Sequence, residues 1–171
     1  MIDAALREAA TRVLELCRAG GLYVATAESC TGGLVAAALT EIPGSSAVVD
    51  RGFVTYSDDA KRAMLGVPAA TLKRHGAVSA QTAKAMAAGA LKNSNADLAV
   101  SITGIAGPGG GSKQKPVGLV YFAAASRDGR RIARKRLYGE IGRRRVRLRS
   151  VAEALALLQL LLSRPARRKG G

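Results

Sequence analysis

The 171-residue sequence predicts an α/β fold, a three-layer domain built on a mixed sheet. Three observations predict it. Short apolar, β-branched runs alternate with stretches whose apolar residues recur every three to four positions. Two strand-like runs near the C-terminus are joined by Asp128-Gly129, a hairpin turn signal, so at least one pairing is antiparallel. Apolar residues make up 48% of the chain, enough for a core without disulfides or metal.

Each element has its own signal. Residues 3–19 set Ala5, Leu6, Ala9, Val13, Leu16 and Cys17 at helical spacing and close on Gly20-Gly21, a glycine stop. Residues 22–28 are short, apolar and β-branched, as in a buried strand, and lead through Ser29–Gly33 into a helical stretch at 34–42. After the turn at 43–46, residues 47–57 read as a strand and 58–65 as a short helix capped by Ser57 or Asp58. Ser79 opens a long Ala-rich helix that ends near 93–95. Residues 97–103 form a strand entering the glycine-rich run 104–116, and 117–126 and 131–138 form the hairpin. The last helix, 143–163, puts Val146, Ser150, Val151, Ala154, Leu158 and Leu161 on one face. One domain is expected over 1–163, with a basic, disordered tail at 164–171.

Charge is distributed unevenly. The net charge is +15, but residues 1–129 hold 13 basic and 10 acidic side chains, whereas 130–171 hold 14 and 2. The question of a nucleic-acid partner therefore concerns the C-terminal segment alone. Aromatics at 4%, with no Trp, poorly supply a base-stacking platform. Cys17 and Cys30 are too few for a disulfide framework, and the single histidine, His75, has no neighbouring ligands, so no metal site is expected. The longest apolar stretch, Val151 to Leu162, is about half a membrane span and carries Glu153 and Gln159. With no apolar signal segment at the start, a soluble cytoplasmic protein without a membrane partner is expected.

Three loops stand where strands end, the place where open α/β sheets collect ligands. The first, 26–33, offers three hydroxyls and a thiol as nucleophiles; Ser29 or Thr31 could equally serve as a helix cap. In the second, 55–61, Tyr56 closes a strand and Lys61 lies one turn into a helix. That lysine is a general base if burial lowers its pKa, and otherwise an ordinary solvated side chain. The third, 101–112, is glycine-rich without a Walker A or dinucleotide fingerprint. It suits an anion-binding nest, with Lys113 or Lys115 adding charge, or a plain connection. The shortage of histidine disfavours a Ser-His-Asp triad, and serine activated by lysine is the hydrolytic chemistry that the inventory permits.

In order along the chain, TAESCTGG (26–33), GSSAVVDRGFVTYSDDAKRAMLGV (44–67), GAVS (76–79) and SITGIAGPGGGSKQKPVGLVY (101–121) resemble the CinA C-terminal domain family, the nicotinamide-nucleotide amidases. The resemblance covers about residues 5–160 in the stand-alone form. It implies an α/β/α sandwich with a mixed, mainly parallel sheet, usually assembled into a homo-oligomer. It also implies hydrolysis of the carboxamide of nicotinamide mononucleotide to nicotinate mononucleotide and ammonia, in pyridine-nucleotide salvage, with no cofactor. By the same resemblance Ser29 matches the nucleophile, Lys61 the base, Tyr56 its helper and Thr103 a further catalytic hydroxyl. Substrate contacts are expected from Glu28, Cys30, Thr31, Gly32 and Gly33 in the first loop. In the third they are expected from Gly104, Gly107, Gly109, Gly110 and Ser112, which would take the 5′-phosphate. Relatives commonly carry Gly-Asp-Arg before the last helix, where Ile141-Gly142-Arg143 stands here.

The competing readings keep the scaffold and change the role. In one, the arginines of 143–149 and the Arg167-Arg168-Lys169 tail grip nucleic acid or another polyanion. In the other, the chain is an inactive relative.

Overall fold

The structure, a computed structural model, describes residues 2–163. The tail expected at 164–171 lies outside the described residues. The chain runs α1 (Ala4–Ala19), β1 (Val24–Glu28), α2 (Leu34–Thr40), β2 (Val49–Val54), α3 (Asp58–Leu65), α4 (Ala69–His75), α5 (Ala80–Lys92), β3 (Leu98–Gly104), β4 (Leu119–Ser126), β5 (Arg131–Leu137) and α6 (Arg143–Ser163).

The five strands form one sheet in the order β2-β1-β3-β4-β5. β1 is parallel to both β2 and β3, while β4 is antiparallel to β3 and to β5. Four strands therefore point one way and β4 alone opposes them, a mixed and mainly parallel sheet. Helices α1, α2 and α6 pack together on one face, and α3, α4 and α5 on the other. Two apolar cores result. The larger joins α1, α2 and α6 to the sheet, through residues such as Val13, Leu39, Ile102 and Leu155. The smaller holds Phe53, Leu65, Met86 and Ala99. β1 is buried along its whole length, which is why its sequence lacks polar alternation.

The helix caps follow their sequence signals. Ser57 Oγ accepts from the Ala60 amide, and Ser79 Oγ from that of Thr82. Helix α4 is the element that periodicity does not supply. It is seven residues long and buries Leu72 alone, too little for a recurring apolar stripe.

Candidate active site

The sheet brings the three loops together at one end. β1 stands between β2 and β3, so Glu28 lies opposite both Val54 and Ile102. Backbone bonds carry the pairing past the strand ends: the Ser29 amide donates to Ile102 O at 2.9 Å, and that of Thr55 to Glu28 O at 2.8 Å. Ser29, Thr55 and Thr103 thus meet at one rim.

That rim encloses a cavity of about 270 Å³, near the lower end of the ~300–1,000 Å³ usual for small-ligand sites. Ser29, Cys30, Tyr56, Lys61, Thr103 and the glycines at 104, 107, 109 and 110 all line it. Larger hollows lie along α1 and between α5 and the β4–β5 hairpin, but neither sets a nucleophile beside a buried base.

Lys61 is the central group. Its side chain is 1% exposed, so it is not the solvated lysine that its position in a short, polar helix allows. Nζ lies 3.3 Å from Ser29 Oγ, 3.0 Å from Thr55 O and 3.5 Å from Ser57 O. Burial pushes its pKa down, while the charge of Asp58 pushes it up; burial prevails. A lysine held this way supplies a neutral amine more readily than a solvated one. Asp58 also lines the cavity.

Tyr56 and Thr103, matched above to the helper and a further hydroxyl, both line the cavity and each is hydrogen-bonded to another wall group. The Tyr56 hydroxyl accepts from Arg143 Nη2 at 2.7 Å, and Thr103 Oγ1 donates to Ala77 O at 2.7 Å. The groups that hold Lys61 are the carbonyls of Thr55 and Ser57, which no side-chain motif announces.

Glu28, expected to touch substrate, is placed differently. It is 0% exposed and points under α2. Its carboxylate accepts from the amides of Gly33, Val35 and Ala36 at 2.9–3.0 Å, and from Thr26 Oγ1. It therefore caps α2, the role that the sequence reading offered to Ser29 or Thr31. Gly33, the N-cap position, has φ +93° and no capping side chain of its own. Thr31, Gly32, Gly33 and Ser112 do not line the cavity. The Gly32 amide is bound to Ser29 O and that of Gly33 to Glu28, so these two amides are committed within the chain.

Cys30 does line the cavity, but burial pushes its thiol up to about 12, further than the nearby positive charges of Arg147 and Lys61 pull it down. Burial thus disfavours the thiolate, the form in which a cysteine attacks.

Arg143, assigned above to a polyanion-gripping face, lines the cavity instead. Its Nη1 donates to Gly107 O at 3.0 Å while Nη2 holds Tyr56, so it bridges the glycine-rich loop to the second loop. The signal that marks it is its place as the first residue of a helix that follows the sheet's edge strand. The close approach of Gly107 to Val117 explains that glycine: its φ is +79° and a Cβ would stand 2.6 Å from Val117 Cγ1.

A serine beside a buried lysine held by main-chain carbonyls, at the strand ends of an α/β/α sandwich, is the arrangement that the fold presents at this cavity. The chain belongs to the CinA C-terminal domain family, whose model matches residues 6–162. It is 51% identical over 158 residues to the nicotinamide-nucleotide amidohydrolase PncC of Escherichia coli K12, a match covering 92% of this chain and 95% of that one. A competence-damage inducible protein of Caldicellulosiruptor bescii is 63% identical over 107 residues, and there the match spans 63% of this chain but 26% of the relative. The crystal structure of the competence/damage inducible protein CihA from Agrobacterium tumefaciens superposes with a TM-score of 0.93 at 56% identity, covering 94% of this chain and 98% of that one.

Proposed function

We propose that the chain hydrolyses the carboxamide of nicotinamide mononucleotide, releasing nicotinate mononucleotide and ammonia, with Ser29 as nucleophile and Lys61 as base. The likeness to PncC over nearly the full length of both chains supports the reaction. The observation that carries the residue roles is the 3.3 Å approach of Lys61 Nζ to Ser29 Oγ inside the cavity.

Neutral Lys61 takes the Ser29 hydroxyl proton as Oγ bonds to the amide carbon. The tetrahedral adduct then breaks its C–N bond, and Lys61 returns the proton to the leaving nitrogen, which departs as ammonia. Water enters, gives a proton to Lys61 and attacks the acyl-enzyme; as the ester bond breaks Lys61 passes that proton to Ser29 Oγ, and the acid product leaves as carboxylate with its own proton lost to solvent. The Cys30 amide, in the one residue of Cys30–Gly33 that faces the cavity, is the donor we assign to the oxyanion; such a donor contributes about 3 kcal/mol. Arg143 and the loop around Gly107–Gly110 face the other end, where a phosphate finds a guanidinium and a flexible backbone.

Ammonia release from nicotinamide mononucleotide tests the assignment. Ser29→Ala and Lys61→Ala are each expected to lower kcat at least about 10³-fold with unchanged far-UV circular dichroism. Near-normal turnover in either variant removes that residue from the role given to it.

The polyanion-binding alternative loses the arginines that are engaged within the chain, whereas the tail lies outside the described residues. Arg134 and Arg136 bind Glu153, Arg143 and Arg147 bind the loops around the site, and Arg130 binds Asp128. Assembly into a homo-oligomer is part of the proposal. Val54, Met64 and Leu137 are exposed and available to such an interface, and sedimentation equilibrium checks it.

A further inference from the structure

The glycine-rich loop leaves and rejoins the sheet through a closed base. The Ile105 amide donates to Leu119 O and that of Gly118 to Ile105 O. Beyond the base, flexibility is expected, because the run between Gly107 and Gly111 is almost all glycine. Two side-chain ties fasten this part of the chain. Arg143 holds Gly107 O from one side, as described. From the other, Lys115 Nζ donates to His75 O at 2.6 Å, forty residues away in sequence.

The acceptor of this second tie lies at the pocket wall. His75 is the last residue of α4, and Gly76 follows with φ +75°. Gly76 O accepts from Ser79 Oγ and Thr82 Oγ1, and Ala77 O from Thr103 Oγ1. Ala77 and Val78 line the cavity. The turn between α4 and α5 is thus rigidly held by α5 and β3, and Lys115 clasps the loop to it. On the loop side, the Lys115 amide donates to Ser112 Oγ and the Ser112 amide to Lys115 O, which fixes the bend carrying the lysine. Lys115 itself does not line the cavity. Its ammonium sits on the free carbonyl end of a helix, a favourable place for a cation, even with Lys73 and Arg74 in the same last turn.

We propose that Lys115 is a positioning residue: by clasping His75 O it holds the glycine-rich loop against the α4–α5 turn and so sets the end of the pocket that receives the substrate's phosphate. The proposal rests on the functional reading above for its kinetic consequence, but the clasp itself does not depend on it.

The test compares wild type with Lys115→Met, which keeps the aliphatic stem and removes the donor. In the ligand-free protein, amide hydrogen exchange over 105–118 and 73–79 is expected to quicken at least several-fold, with α6 unchanged. KM for nicotinamide mononucleotide is expected to rise about tenfold while kcat stays within about threefold, as for loss of one charge-assisted hydrogen bond that shapes binding. Lys84→Met, which removes an exposed positive charge on α5, is the charge control and should change neither reading. A raised KM with unaltered exchange means that Lys115 meets the phosphate directly, and overturns the clasp. Unaltered exchange and KM together overturn it as well. If wild type fails to release ammonia from the nucleotide, the functional reading falls, and the exchange comparison still decides whether Lys115 fastens the loop.

Discussion

Lys61 Nζ stands 3.3 Å from Ser29 Oγ, although 32 residues separate the two in the chain. Ser29 follows the end of a buried strand and Lys61 sits one turn into a helix that leaves the neighbouring strand, so the parallel pairing of β1 and β2 is what joins them. The lysine is held by main-chain carbonyls at Thr55 and Ser57, which lie on its own strand-to-helix connection.

The pH dependence of turnover follows from that environment. Lys61 must be neutral to accept a proton, and burial pushes its pKa below the ordinary 10.5. Activity therefore rises with pH through the lowered lysine value, an acid limb displaced downward. Asp58 pushes the other way, because its negative charge favours the ammonium. Asp58→Asn is expected to move the acid limb of kcat to lower pH. A pH–rate profile checks this, and a shift to higher pH contradicts the assignment of Lys61 as base.

Cys30 is expected to be dispensable and unreactive. Burial leaves it 5% exposed and pushes the thiol up to about 12, so almost none of it is thiolate at neutral pH. Cys30→Ala should retain ammonia release within about threefold, because a small apolar side chain replaces one of similar size. Native protein should also resist iodoacetamide at pH 7.5. Rapid inactivation by alkylation that Cys30→Ala abolishes would return the thiol to consideration as nucleophile.

Glu28 is expected to matter for stability first. Its buried carboxylate satisfies three amides at the start of α2, and Glu28→Ala leaves those donors without partners in a dry site. A loss of about 2–4 kcal/mol is expected, measured by urea denaturation. A change below about 0.5 kcal/mol would show that α2 is capped well enough without it.

Glu153 fastens α6 to the edge strand. Burial alone would raise its carboxyl, but hydrogen bonds and charge from Arg136 and Arg134 outweigh it and hold the pKa below the ordinary 4.5. With the folded-state pKa depressed, the contribution is complete above the ordinary value and is lost as pH falls through the lowered one. Glu153→Gln should cost about 1 kcal/mol at pH 7, the two arginines being partly exposed. The difference from wild type should close as pH falls through the lowered value. Thermal melts across pH 3–7 read it directly, and a gap that widens toward acid contradicts the linkage.

Much of this protein was decided locally. The apolar runs at 24–28 and 98–104, the serine caps at 57 and 79, the Asp128-Gly129 hairpin and the stripe on α6 are written in residues near each other in sequence. They predict the alternation of strands and helices, hence the layers, and the loops at the strand ends, hence the place of the site. What a residue does once there depends on groups distant in sequence. Composition alone cannot tell a buried lysine from a solvated one, because the difference lies in the strands and helices packed around it. The same holds for Glu28, whose neighbourhood in sequence suggests substrate and whose neighbourhood in space is the start of α2.

The C-terminal charge shows the division most plainly. Read along the chain, the arginines of 130–149 look like a basic appendage separate from the active-site loops. In the folded protein Arg134 and Arg136 close on Glu153, Arg147 reaches Thr31 O in the first loop, and Arg143 enters the cavity between Tyr56 and Gly107. The sequence by itself determined that these side chains are long, cationic and spaced to share helix and strand faces. Only the tertiary structure decided which carbonyls and carboxylates they meet, because a guanidinium finds its partners across the packed layers and not along the chain.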